Sequence, residues 1–313
     1  MDVDLFFRVF ILAIVQGIAE FLPISSSGHL LVLGRFLEIP DVFTLTILLH
    51  LGTLFSVIVF FAAKLGDVLT RHFRAIWLVF LGTIPTVAIG LFVHERFPQI
   101  ETSRLTAGVC FFVTALLLLT IMRRNSRTED EEYYEKIACE EEGFEPPVIK
   151  TVENTTWWDA IVVGIAQGFA VLPGLSRSGA TISAGVMRGM RNEWSAEFSF
   201  FLSIPVIAGG AILEIIEQVK AVGLENVGTL IQPDSNLLLY FFGALVSFAV
   251  GWISLFYLMQ MLKAGKLHYF AFWLFLIGTA TIVWTCVDHK EQVMGAVNSV
   301  WSFLQARFGG AGQ

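Results

Sequence analysis

The sequence predicts an all-α integral membrane protein built as an inverted-topology repeat, with six transmembrane helices and two re-entrant helix-loop-helix hairpins. Three observations carry that prediction. The 313 residues are 55% hydrophobic and 15% charged, with a mean hydropathy of +0.71, too few charges to cover a soluble globule of this size. Apolar runs recur at 41–62, 75–93, 105–122, 197–215, 237–262 and 267–287. Each is close to the roughly 20 residues that cross a bilayer as a helix. Finally, two other apolar stretches, 5–22 and 157–172, stop at a Leu-Pro pair followed by Ser and Gly, then resume at 30–37 and 181–187.

The interrupted stretches read as hairpins. Proline removes a backbone donor and disfavours helix in the residue before it, and the serines that follow suit the start of a new helix. Non-helical backbone at membrane depth is tolerated where protein buries it or water reaches it, so helices that dip in and return fit better than four additional spans.

The two halves repeat at a shift of 151. Ile14, Gln16, Gly17, Ala19, Ser25, Ser27 and Gly28 meet Ile165, Gln167, Gly168, Ala170, Ser176, Ser178 and Gly179. Residues 1–122 form a first repeat, with a hairpin over 5–38 and three spans; 157–287 form a second, with a hairpin over 157–190 and three spans. Three intervening spans make the second hairpin enter from the opposite face, so the two loops can meet near the midplane. Between the repeats, 123–156 is a Glu-rich segment that reads as a solvated cytoplasmic linker, and 288–313 alternates apolar and polar residues as a helix lying on the membrane surface would. An excess of Lys and Arg on one face, among them Lys64, Arg71, Arg74, Arg188 and Lys263, marks that face as cytoplasmic and puts both termini outside. The first apolar stretch has no basic leader or small-residue cleavage site, so the chain is read as mature from Met1. Cys110, Cys139 and Cys286 are far apart and suggest neither a disulfide frame nor a metal site.

The chemistry is concentrated in the two loops. A hydroxyl or charge kept from water costs several kcal/mol unless something binds it, so polar residues at this depth point to a polar ligand. Gln16 and Glu20 share one face of the helix entering the first loop. Ser25, Ser26, Ser27 and the Gly28 amide stand at the start of the next half-helix, where free N–H groups and the helix dipole favour an anion. His29, in the first turn, can move a proton or attack phosphorus. In the second loop Ser176, Ser178 and Thr181 supply donors, Gly174 and Gly179 permit close backbone approach, and Arg177 offers a fork matched to phosphate oxygens. Carboxylate, hydroxyl, imidazole and guanidinium together read as a phosphoryl-transfer site. His50, mid-span, reads as a packed, hydrogen-bonded histidine.

The segments Gln16–His29 and Pro173–Thr181 resemble the two signatures of the bacterial undecaprenyl pyrophosphate phosphatases, also called bacitracin-resistance proteins, and the likeness extends to Glu197–Pro205. The resemblance implies hydrolysis of a C55 lipid pyrophosphate to the monophosphate carrier and phosphate, in the inner membrane, at a site open to the extracytoplasmic side. It also implies a divalent cation, usually Mg2+, for which Glu20 and Gln16 are the candidate ligands; many members carry Glu at the position of Gln16. On both arguments Ser26, made nucleophilic by His29, attacks the terminal phosphorus, while Arg177 and a cation held partly by Glu20 stabilise the transferring group. His29 as the nucleophile is the open alternative. Ser176, Ser178 and Thr181 would position pyrophosphate oxygens, with Ser25 and Ser27 in support. The expected partners are the polyprenyl pyrophosphate substrate and membrane lipids, with a homodimer left open and no nucleic acid. The rival function is a polyprenyl-phosphate transporter or flippase, because inverted repeats with broken helices are a transporter design. The other class of integral lipid phosphatase is excluded: after Arg177 the next histidine is His268.

Overall fold

A computed structural model describes residues 3–37, 42–125, 149–222 and 236–288, and these are almost entirely helical, with one isolated β-bridge between Lys150 and Met190. The expected linker and surface tail lie mostly outside the described residues. The helices are α1 (Val3–Ala19), α2 (Ser26–Leu37), α3 (Val42–Phe60), α4 (Ala62–Arg71), α5 (Phe73–Arg96), α6 (Pro98–Glu101), α7 (Arg104–Asn125), α8 (Trp157–Phe169), α9 (Arg177–Met187), α10 (Asn192–Val222), α11 (Leu237–Lys263) and α12 (His268–Asp288).

Five helices, α5, α7, α10, α11 and α12, are long and apolar enough to cross a membrane; α3 joined to α4 makes a sixth. The apolar run predicts that span over 41–62. Instead, the chain bends by 65° at Phe61, and α4 leaves along a new direction. The reason is compositional: α4 buries Val68, while Lys64 reaches Glu197 on α10 at 3.4 Å and Asp67 pairs with Arg71 at 3.4 Å along its polar face. Pro85 and Pro205 lie inside α5 and α10, which continue through them.

The repeats interlock. The first arm of each hairpin packs against the middle span of the other repeat, α1 on α11 and α8 on α5, and the final spans α7 and α12 pack on each other. Small residues allow this. A Cβ on Gly52 would stand 2.3 Å from the Ala244 carbonyl oxygen, and one on Gly164 would stand 2.1 Å from that of Gly82. With backbones so close, single hydroxyls bridge the helices: Thr86 donates to the Gly164 carbonyl at 2.8 Å and Ser56 to that of Phe248 at 2.7 Å.

Both hairpins close on themselves at matching positions. In the first, Arg8 Nη1 donates to the Leu37 carbonyl at 3.0 Å. In the second, Arg188 Nε donates to Asp159 Oδ1 at 2.8 Å. Residues 8 and 37 meet 159 and 188 at the shift of 151, so each hairpin is latched by the same pair of positions with different chemistry.

The second latch is the more elaborate. Asp159, with no solvent exposure, also accepts from Lys150 Nζ at 2.7 Å, and from the backbone N–H and hydroxyl of Thr156 at 2.9 and 2.7 Å. Thr156 caps α8 in return, completing a capping box. Burial alone would raise the pKa of this carboxyl, but the hydrogen bonds from Lys150, Thr156 and Arg188 outweigh it and hold the value at about 2, below the ordinary 3.8. A depressed folded-state pKa means that the latch stabilises fully above the unfolded value and is lost as pH falls through the folded one. Asp159→Asn should therefore lower stability in detergent at neutral pH by roughly 2 kcal/mol or more, since two cations lose their partner. The gap from wild type, measured by thermal unfolding across pH, should close only as acidity approaches pH 2.

Candidate active site

The loop of each hairpin is a short break between helices. Ser25 caps α2 by accepting from the Gly28 amide at 3.3 Å, and Ser176 caps α9 by accepting from the Gly179 amide at 3.1 Å. The neighbouring hydroxyls repeat the pattern: Ser25 and Ser27 lie 3.3 Å apart, Ser176 and Ser178 3.2 Å apart. The first residues of α2 and α9 are Ser26 and Arg177, themselves 151 apart, so the same structural position carries a hydroxyl in one hairpin and a guanidinium in the other.

The loops touch through glycine. A Cβ on Gly28 would lie 2.8 Å from the Gly174 backbone, and Gly174, at φ 85°, would thrust one to 2.1 Å from the Ala107 carbonyl oxygen. Thr114 on α7 pins the second loop, its hydroxyl donating to the Gly174 carbonyl and accepting from the Ser176 amide, both at 3.0 Å.

Where the loops meet, Glu20 is the hub. It is buried, yet its Oε1 accepts from Arg177 Nη2 at 2.5 Å across 157 residues of chain. Its Oε2 accepts from the Ser26 hydroxyl at 2.7 Å and from Gln16 Nε2 at 3.0 Å. His50 Nε2 faces the same oxygen at 3.8 Å, while its Nδ1 donates to the Thr46 carbonyl at 2.9 Å. Two buried polar atoms here have no partner: Arg177 Nη1, a donor, and Gln16 Oε1, an acceptor. Buried groups left unpaired beside a half-exposed hydroxyl suit a ligand that supplies both an anionic oxygen and a positive charge.

The other expected site residues have the following partners. The Ser26 hydroxyl, which the sequence reading pairs with His29, is bonded here to Glu20. The His29 ring folds back over the preceding turn, as side chains on a helix do, and Nδ1 donates to the Ser25 carbonyl at 2.8 Å while Nε2 accepts from Trp273 Nε1 at 3.0 Å. Thr181, expected to position pyrophosphate oxygens, is fully buried and turned away: it donates to the Arg177 carbonyl at 2.7 Å and lies 2.5 Å from the Ser199 hydroxyl. Ser176 and Ser178 are buried within their own turn, and Gly179 packs against Thr114. Ser27 is exposed beside the site. The sequence reading gives no role to Trp273 and Thr114, lone residues in apolar spans far from either motif, nor to Ser199, which lies within the Glu197–Pro205 likeness, and it reads His50 only as packing.

A multi-pass helical membrane protein with two apposed half-helix hairpins, one presenting serine and carboxylate and the other arginine, is the class that fold and site define. Residues 9–280 match the family described as bacitracin resistance protein BacA, and the chain belongs to that family. Among its relatives are an undecaprenyl-diphosphatase of Rhodopirellula baltica, 38% identical over 277 residues covering 88% of this chain and 96% of the relative. Another, of Carboxydothermus hydrogenoformans, is 35% identical over 279 residues, with 88% and 96% covered. An undecaprenyl-diphosphatase of the more distant Methanosphaera stadtmanae is 32% identical over 300 residues, with 88% and 97% covered.

Proposed function

We propose that this protein hydrolyses undecaprenyl pyrophosphate to undecaprenyl phosphate and inorganic phosphate, recycling the lipid carrier for cell-wall synthesis and so conferring bacitracin resistance. The contact that carries the reading is Ser26–Glu20–Arg177, a nucleophile, an acceptor for its proton and a phosphate-binding cation assembled from both hairpins. In the reaction, Ser26 Oγ attacks the terminal phosphorus as its proton passes to Glu20 Oε2, and the bond to the bridging oxygen breaks, releasing the lipid monophosphate. Arg177, its unpartnered Nη1 included, and the amides at the start of α2 take up charge on the transferring phosphoryl oxygens. Water then attacks the phosphoserine, inorganic phosphate leaves, and the serine recovers its proton.

A divalent cation fits this donor set. The ion would be Mg2+, which is commonly held by one or two protein oxygens together with waters and phosphate oxygens. Glu20 and the orphan amide oxygen of Gln16 are the residues that would hold it, and it would supply positive charge to the pyrophosphate. The site would open to the extracytoplasmic side of the bacterial inner membrane. The test is phosphate release from detergent-purified protein given C55 pyrophosphate, with and without chelator. Turnover without two compartments excludes a pure transporter; its absence at every cation tried would overturn the reading.

A further inference from the structure

Ser25 is the one non-glycine residue among those described with a positive φ, 69°, a conformation that L side chains rarely adopt. This left-handed turn directs Ser26 toward Glu20, and its carbonyl is held twice by His29, by the backbone N–H at 3.2 Å and by Nδ1 at 2.8 Å. Donation from Nδ1 to a carbonyl leaves the lone pair on Nε2, and there it meets the indole N–H of Trp273 at 3.0 Å. The two rings are 15° from parallel with centroids 6.0 Å apart. Phe111 stands against the imidazole at 5.3 Å, nearly perpendicular to it. Both ring nitrogens are therefore occupied, and neither by a group that reacts.

The second hairpin provides the control. Its left-handed residue is Gly174, which needs no restraint, and Ser176 sits at an ordinary φ of −67°. At the shift of 151 the counterpart of His29 is Ala180. Imidazole is present in the hairpin with the strained serine turn and absent from the one without.

We propose that His29 is a positioning residue, neither nucleophile nor base: clamped by Trp273 from the last span, it holds the left-handed Ser25 turn that aims Ser26. This rests on the reading of Ser26 as the nucleophile. Asparagine can place an amide N–H where Nδ1–H stands, whereas glutamine places it where Nε2 stands, so the two separate bracing from chemistry. His29→Asn should keep phosphate release within about tenfold of wild type, while His29→Gln and His29→Ala lose about 100-fold or more. Trp273→Phe, which keeps the ring and removes the N–H, should lower kcat by about fivefold with KM little changed, and should add nothing to His29→Asn, because coupled residues are not additive.

A second readout needs no turnover. In selectively 15N-labelled protein, His29 should show a protonated Nδ1 and an unprotonated Nε2 whose resonance moves in Trp273→Phe as its hydrogen bond is lost. His29→Asn as inactive as His29→Gln, wild-type kcat in Trp273→Phe, or an Nε2 resonance indifferent to that substitution would each overturn the proposal. If the wild-type protein releases no phosphate, the functional reading falls, and the resonances still judge the clamp.

Discussion

Arg177→Ala should lower phosphate release by about 10³-fold or more, the largest single effect expected in this protein. The guanidinium is the one cation that reaches Glu20 from the second hairpin, through Nη2 at 2.5 Å, and its Nη1 is buried without a partner. In the proposed reaction the transferring phosphoryl group would gain charge beside that N–H, where a preorganised donor in an apolar site acts without reorganisation. Arg177→Lys should recover little, since an ammonium cannot hold a carboxylate and a phosphoryl oxygen in one fixed plane. The check is kcat and KM on C55 pyrophosphate together with thermal unfolding of the same samples. A folded variant within tenfold of wild type would show that this side chain does not meet the transferring group.

The second large effect is expected at Glu20. Glu20→Gln preserves shape but gives Ser26 an amide that cannot accept its proton, and it strips Arg177 of its counter-charge. A loss of about 10²–10⁴ in kcat, with a smaller change in KM, is the range for a positioned proton acceptor. Ser26→Ala should fall as far, and the double variant little further, because hydroxyl and carboxylate act as one unit 2.7 Å apart. Additive losses would mean that the two act separately. Retention of turnover by Ser26→Ala, with phosphate found on His29, would reverse both the nucleophile and the bracing role given to that imidazole.

Much of this was legible in the chain because membrane solvent is unforgiving. Twenty apolar residues have few folded forms in hydrocarbon other than a spanning helix, and a Leu-Pro-Ser break in such a run has few meanings. The apolar spans and both helix restarts follow from those constraints, and the 151-residue repeat brings the loop that carries Arg177 toward the oxygen-rich first loop. The 65° bend at Phe61 was not legible, since residues 42 to 62 contain no Asp, Glu, Lys, Arg or Pro and only the amphipathic α4 beyond them makes the chain turn aside.

The side-chain assignments divide in the same way. Residue type and spacing determined that a carboxylate, hydroxyls, an imidazole and a guanidinium gather in two loops, because such groups are unstable in lipid without mutual partners or a ligand. Which of them touch was decided only by tertiary packing. Glu20 takes Ser26, and His29 takes Ser25 and Trp273, because hydrogen bonds depend on tenths of an ångström and on ring orientation, and Trp273 stands 244 residues from His29. Thr181 carries the same hydroxyl as a ligand-binding threonine would, and only the packing of α9 on α10 turns it inward to Ser199. Sequence therefore set the inventory of the site, and the apposition of two inverted half-helices, closed by glycine against glycine, set its wiring.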